Sequence, residues 1–145
     1  MKTQIICAVI IQHHSVSHDV KHFLELFGQM IAIIPMWITV LDKGYDSEPI
    51  HQMIHNENLT SMIPTRNITV LISRTRGKYR KQMKRGEFDY SLYHQQNKTE
   101  TIFSVIKRRF GSEIKSYNDT MKEKELLYRV LAYNYHRMCI ISALV

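Results

Sequence analysis

Apolar and polar positions divide the chain into short strand-like runs near the start and amphipathic helical segments that dominate the end. Residues 3–12 are rich in Ile and Val with little alternation, the pattern of a strand buried on both faces. Ser17 is placed to cap a helix over 18–28, with Val20, Phe23, Leu24 and Phe27 on one face. Residues 36–41 read as a second strand, 42–47 as a turn, and 48–57 as a helix capped by Ser47, with Pro49 tolerated in its first turn. A third, short strand is expected over 60–64. From 68 to 92 the pattern loses its period, and Gly77, Gly86 and many cations mark a basic insertion with short elements. Asn97 opens a helix to about Phe110, closed by Gly111, with Ile102, Phe103, Ile106 and Phe110 toward the core. Thr120 and Glu123 form a capping box for a long final helix that turns Leu126, Leu127, Val130, Leu131, Met138 and Ile141 inward.

Strands that alternate with helices, followed by helices alone, give an α/β class with a short mixed sheet, flanking helices and a long C-terminal helix. The 145 residues are enough for one domain with its own core, and no internal repeat or low-complexity linker divides them. Three strands are few for a doubly wound sheet, so the sheet is expected to lack a strand at its N-terminal side.

Charge narrows the partner. The chain carries +7 overall. Residues 66–115 hold thirteen Lys and Arg against four acids, a net of +9, and the remainder nets −2. A positive field confined to one stretch favours a polyanion over a uniformly solvated surface. Cys7 and Cys139 lie far apart in apolar contexts without metal-ligand spacing, which fits a reduced cytoplasmic protein. The apolar start is short and Gln12-His13-His14 offers no small-residue cleavage site, so a strand is preferred there to a signal peptide. Residues 31–41 are too few to span a bilayer and Pro35 interrupts them, so no membrane partner is expected. The Asn-x-Thr triplets at Asn58, Asn67, Asn97 and Asn118 then read as turns or helix caps.

Two carboxylates stand out. Asp42 follows an apolar strand and precedes a turn, and ligands in open α/β sheets gather at the carboxyl ends of strands. Hard cations such as Mg²⁺ take such oxygens. A turn Asp bonding its own backbone fits the same position. Glu100 lies in the first turn of its helix, and Lys107, seven residues on, shares its face. Asn97-x-x-Glu100 is also a capping-box pattern, so both readings stay open. The pairs His18/His22 and His51/His55 have i, i+4 spacing without His-Glu-x-x-His or a third ligand, which favours helix packing over zinc. Arg74, Arg76, Lys78, Arg80 and Lys81, with Lys84, Arg85 and the interleaved Tyr79, suit phosphates and a stacked base.

These residues resemble a known family. Asp42-Lys43-Gly44-Tyr45-Asp46-Ser47, then Ile63-Pro64-Thr65-Arg66, then Arg76-Gly77-Lys78-Tyr79-Arg80, then Tyr93-x2-Gln96-x3-Glu100-x6-Lys107, look like the catalytic domain of insertion-sequence DDE transposases of the Tyr-Arg-Glu-Lys signature group. Asn134 in Tyr133-Asn134-Tyr135 also fits the family's terminal helix. The resemblance covers nearly the whole chain. It implies a partial ribonuclease-H-like domain, with Asp42 as the second metal-binding Asp, Glu100 as the Glu of the triad, and Mg²⁺ or Mn²⁺ as cofactor if the site is completed. Tyr93, Gln96 and Lys107 then handle DNA, with Arg66 and the basic stretch Arg74, Arg76, Lys78, Arg80 and Lys81. Two metals roughly 3.5–4 Å apart need ligands from separate elements, which is how acids 58 residues apart in sequence serve one site.

Two departures qualify the likeness. Gln96 stands where the signature has Arg, replacing a charged fork with a neutral amide. The strand carrying the first Asp of the triad falls before Met1 in the family's order, and Asp19 follows the next strand, so it is no clear substitute. The expectation is a transposase domain lacking its first strand, inactive on its own, with a non-catalytic DNA-binding remnant or regulator as the alternative. A metal-dependent nuclease or RNA-processing protein of the same fold is a third reading. A second copy or a full-length transposase relative is a candidate partner, and a nucleoid-associated location follows.

Overall fold

A computed structural model describes residues 4–11, 19–94 and 97–143. It is α/β, and the chain divides into two compact units, Ile34–Asn97 and Met1–Ile33 with Lys98–Val145.

The unit Ile34–Asn97 is built on a strand-helix-strand crossover. Strands β1 (Ile38–Val40) and β2 (Thr60–Met62) pair in parallel, with Thr39 opposite Ser61. The ladder extends at both ends, where Thr60 N–H donates to Trp37 and Leu41 N–H to Met62. The connection is helix α2 (Glu48–Asn56), entered from an extended Ser47 with Pro49 in its first turn. Ser47 makes no side-chain cap hydrogen bond. Asn58 turns the chain at φ 60°, a conformation Asn tolerates better than most residues. Ile50 and Ile54 on α2 meet Leu59, Met62 and Ile63 in the core. Ile54 and Ile63 are fully buried, each contributing roughly 1.5–3 kcal/mol by leaving water.

The basic stretch that follows is folded onto this crossover. Helix α3 (Lys78–Gln82) opens at Gly77, runs into a π-helical turn at Met83–Glu87, and gives way to α4 (Tyr90–Tyr93). The Glu48 carboxylate accepts from the N–H groups of Tyr79 and Arg80, so a side chain of α2 caps α3. Asp89 caps α4 by accepting from Ser91 and Leu92.

The other unit is helical among its described residues: α1 (Phe23–Ile33), α5 (Asn97–Phe110) and α6 (Asp119–Ser142). Phe23 and Phe27 stack on α1 at 5.2 Å, and Tyr133 is its buried residue on α6. Gly111 ends α5 at φ 88°. Glu125 on α6 then organises the connection, accepting from the N–H groups of Lys115 and Ser116, the Ser116 hydroxyl and Arg129. The Arg129 guanidinium also donates to the carbonyls of Gly111 and Glu113.

Several expectations are corrected. Residues 4–11 form no strand: Ile6 N–H donates to Asn134 Oδ1 at 2.9 Å and its carbonyl accepts from Asn134 Nδ2 at 2.7 Å, so an amide side chain meets the needs that a ladder would. The sheet therefore has two described strands, parallel rather than mixed. The first helix is a 3-10 turn at Asp19–His22 followed by α1, which passes Gly28 and ends before Pro35. Asn118, accepting from Met121 N–H, caps α6 in place of Thr120. Leu24, Phe103, Leu127, Leu131 and Met138 are exposed, because the buried faces of these helices are narrower than their apolar stripes. His13, Ser17 and His18 lie outside the described residues.

Candidate functional site

Asp42 leaves the carboxyl end of β1 and starts a 3-10 turn at Lys43–Tyr45. Its Oδ1 accepts from Lys43 N–H at 2.6 Å, and its carbonyl accepts from Tyr45 N–H at 2.9 Å. The carboxylate is exposed, and this cap engages one of its two oxygens. Tyr93 on α4 stands beside it. Burial, then the negative charge of Asp42 and a hydrogen bond to its carboxylate, push the Tyr93 phenol above its ordinary value.

The turn carrying Asp42 is held from behind by Arg66, four residues past β2. Arg66 Nε donates to the Lys43 carbonyl at 3.1 Å, its Nη2 to the Gly44 carbonyl, and its backbone N–H to Asp46 Oδ2 at 2.8 Å. Asp46 is buried and receives Arg80 through two nitrogens, Nε at 2.8 Å and Nη2 at 2.9 Å. Burial pushes the Asp46 carboxyl up. The neighbouring His51 imidazole, both Arg80 bonds and the Arg66 N–H outweigh that and hold it well below the usual carboxylate range. His51 Nε2 lies 3.9 Å from Asp46 Oδ1, beyond hydrogen-bond length, so the imidazole acts there as a close neighbour. On its other side, His51 Nδ1 meets Ser61 Oγ at 2.6 Å, and His55 Nε2 reaches the same hydroxyl at 3.3 Å.

Glu100 is exposed in the first turn of α5 and shares a shallow surface groove with Phe103, Ser104, Lys107 and Arg108. Asp42 belongs to one compact unit and Glu100 to the other. Among the described residues, no three His, Cys, Asp or Glu gather closely enough to hold a metal ion.

A family model for the transposase DDE domain matches residues 1–135. The chain belongs to the DDE transposase family. No curated protein and no solved structure matches it. Membership makes it a transposase domain in the broad sense, a family that works on DNA with divalent metal. No helix among the described residues is long and apolar enough to cross a membrane.

In this DDE domain, the residues singled out in the sequence fall into three groups. Asp42 and Tyr93 are brought together. Glu100 and Lys107 line one groove. Arg74, Arg76 and Lys78 are exposed and Lys81 half-buried, with Lys78 Nζ 5.2 Å from the centre of the Tyr79 ring. Arg66 and Arg80 hold the fold around Asp46, and Tyr79 stacks on His55 at 4.0 Å, so its ring serves packing where the sequence suggested a base. Gln96 and the side chains of Asp19 and Asn97 lie outside the described residues. Sequence reasoning missed Asp46, Glu48 and Glu125. The one signal for Asp46 was that it shares the Asp42 turn.

Proposed function

We propose that the chain is the catalytic domain of an insertion-sequence transposase with ribonuclease-H-like architecture, in which Asp42 and Glu100 are metal-holding acids. The observation that carries this is Asp42 itself: an exposed carboxylate at the carboxyl end of a parallel strand, capped by its own turn and beside the Tyr93 phenol. All of its donors are hard oxygens, the set Mg²⁺ or Mn²⁺ prefers. When bound, such ions would acidify a water or a 3′-hydroxyl for in-line attack on a phosphodiester.

The chain's own residues supply the rest. Arg66 keeps the Asp42 turn in place through the carbonyls of Lys43 and Gly44. Arg74, Arg76, Lys78, Lys81 and Lys107 supply phosphate contacts, and Tyr93 and Gln96 also handle DNA. Arg80 contributes by neutralising Asp46.

Two acids do not complete a two-metal site, and the polypeptide of these 145 residues is expected to bind DNA with little or no strand transfer. Supercoiled plasmid incubated with purified chain and Mn²⁺ tests this. Salt-sensitive binding without nicking is the expected result. Nicking that Asp42→Ala abolishes would overturn the inactivity, and absence of DNA binding would overturn the whole reading. Binding that ignores divalent metal and survives Glu100→Ala would favour a DNA-binding regulator.

A further inference from the structure

We propose that residues 68–72 form an aliphatic wedge that enters duplex DNA between base pairs and kinks it. This rests on the DNA-binding reading above and adds how the duplex is engaged.

The segment Ile68-Thr69-Val70-Leu71-Ile72 is apolar in sequence but forms no strand and leaves Ile68 and Leu71 largely exposed. Ile68 is 73% exposed and Leu71 63%, with Val70 and Ile72 at 38% each. An aliphatic run this exposed normally collapses onto the nearest apolar surface. Ile68, Val70, Leu71 and Ile72 instead line one wall of an open hollow whose other walls include Pro64, Met83 and Phe88.

The backbone is pinned while the Ile68 and Leu71 side chains stay largely exposed. Lys84 Nζ donates to the Val70 carbonyl at 2.7 Å. The Leu71 carbonyl accepts from Arg74 N–H at 3.0 Å and from the Thr75 hydroxyl at 3.2 Å. The Ile72 carbonyl accepts from Thr75 N–H at 3.1 Å, and Thr75 itself is buried. Three consecutive carbonyls are thus satisfied inside the protein, which presents the aliphatic side chains on a preorganised turn.

Charge decides what the turn meets. Between residues 66 and 85 there are eight Lys and Arg and no acid, and Asp46 neutralises Arg80 alone by direct ion pairing. A second copy docking the same patch on itself would bring like charges together. Protein interface cores are depleted in charge, whereas here the cations flank the aliphatic tip on both sides. A polyanion with an apolar interior satisfies both features. Proteins that kink duplexes insert Leu, Ile, Phe or Met between base steps while cations hold the flanking phosphates.

The test uses the full 145-residue chain and a duplex with 2-aminopurine beside a central TA step, where unstacking is easiest. Binding is expected to raise the fluorescence and to shorten the end-to-end distance read by energy transfer. The double variant Ile68→Ser, Leu71→Ser changes exposed side chains only, so its melting midpoint should match that of the parent. It should keep salt-sensitive binding and lose both signals. Arg74→Ala should do the reverse, weakening binding while keeping the fluorescence rise at saturation. Binding with no fluorescence rise, or a rise that the double variant retains, overturns the wedge and leaves DNA binding standing. A double variant that changes sedimentation, or loses affinity for anionic vesicles, while its DNA signals stay intact assigns the patch to another partner. No DNA binding at all removes the wedge together with the reading beneath it.

Discussion

Arg80 meets the buried Asp46 through two nitrogens, at 2.8 and 2.9 Å, four residues beyond Asp42 in the same turn. The pair ties the basic stretch to the strand end that carries the candidate metal ligand. Asp46→Ala would leave the guanidinium without its partner in a half-buried position. The expected cost is about 3 kcal/mol, the lower end for a broken buried pair because Arg80 is about one-fifth exposed. Urea denaturation measures it, and a loss below about 1 kcal/mol would mean that the pair is peripheral.

Acid should unfold the two units through two carboxylates. Both Asp46 and Glu125 are depressed in the folded state, so their contributions are full above the unfolded values and are lost as pH falls. For Glu125, the Ser116 hydroxyl leads; burial opposes it, and the N–H groups of Lys115 and Ser116 with Arg129 bring the carboxyl to about 2. Its contribution should fade as pH drops from about 4.5 toward 2. Thermal melts of Glu125→Gln and the parent should converge across that window, and a constant gap would contradict the assignment.

Gly77 sits at φ 99°, and a Cβ there would collide with the Glu48 carboxylate that caps α3. Gly77→Ala should therefore cost more than about 1 kcal/mol, since strain and the lost cap add to the usual glycine penalty. Glu48→Gln should cost less, because an amide oxygen still accepts. Comparable losses for the two would place the cost in the cap rather than the backbone.

Asn134 and Ile6 exchange two hydrogen bonds across the sequence. Asn134→Leu should expose the Ile6 amide to exchange and cost roughly 1–3 kcal/mol, the penalty for a part-buried peptide left unpaired. Hydrogen exchange by NMR reads the Ile6 amide directly, and unchanged protection would show that the segment is held by packing alone.

Much of this was legible in the sequence, for identifiable reasons. The α2 helix, both strands of the crossover and α5 follow from apolar periodicity and punctuation by Pro49 and Gly111, which act locally, although the cap expected of Ser47 is not made. The order of short motifs was enough to reach the family that the match over residues 1–135 establishes. Tertiary hydrogen bonds were not legible. Residues 4–11 have a strand's composition, but the Gln4 carbonyl and the Ile6 amide and carbonyl bond to the side chains of Tyr133 and Asn134, about 130 positions away. Arg80 and Tyr79 look like DNA contacts in a basic run, yet Asp46 and His55 already engage them. Composition identifies a cation and says nothing of which acid it meets.

The basic stretch carries a further expectation. If Arg74, Arg76 and Lys78 each contact a phosphate, each Ala substitution should lower the salt dependence of DNA binding by about 0.9 in log–log slope. Arg80→Ala should instead lower stability. Filter binding at stepped salt separates the two classes, and an unchanged slope in the triple variant would place the DNA elsewhere.

The proposed role of Asp42 as a metal-holding acid is tested most directly by Mn²⁺ titration of the isotope-labelled chain bound to duplex DNA, read by paramagnetic broadening of backbone amides. The prediction is that amides of the Lys43–Tyr45 turn broaden, and that Asp42→Asn removes the effect there. Broadening of that turn that Asp42→Asn leaves unchanged would contradict the assignment.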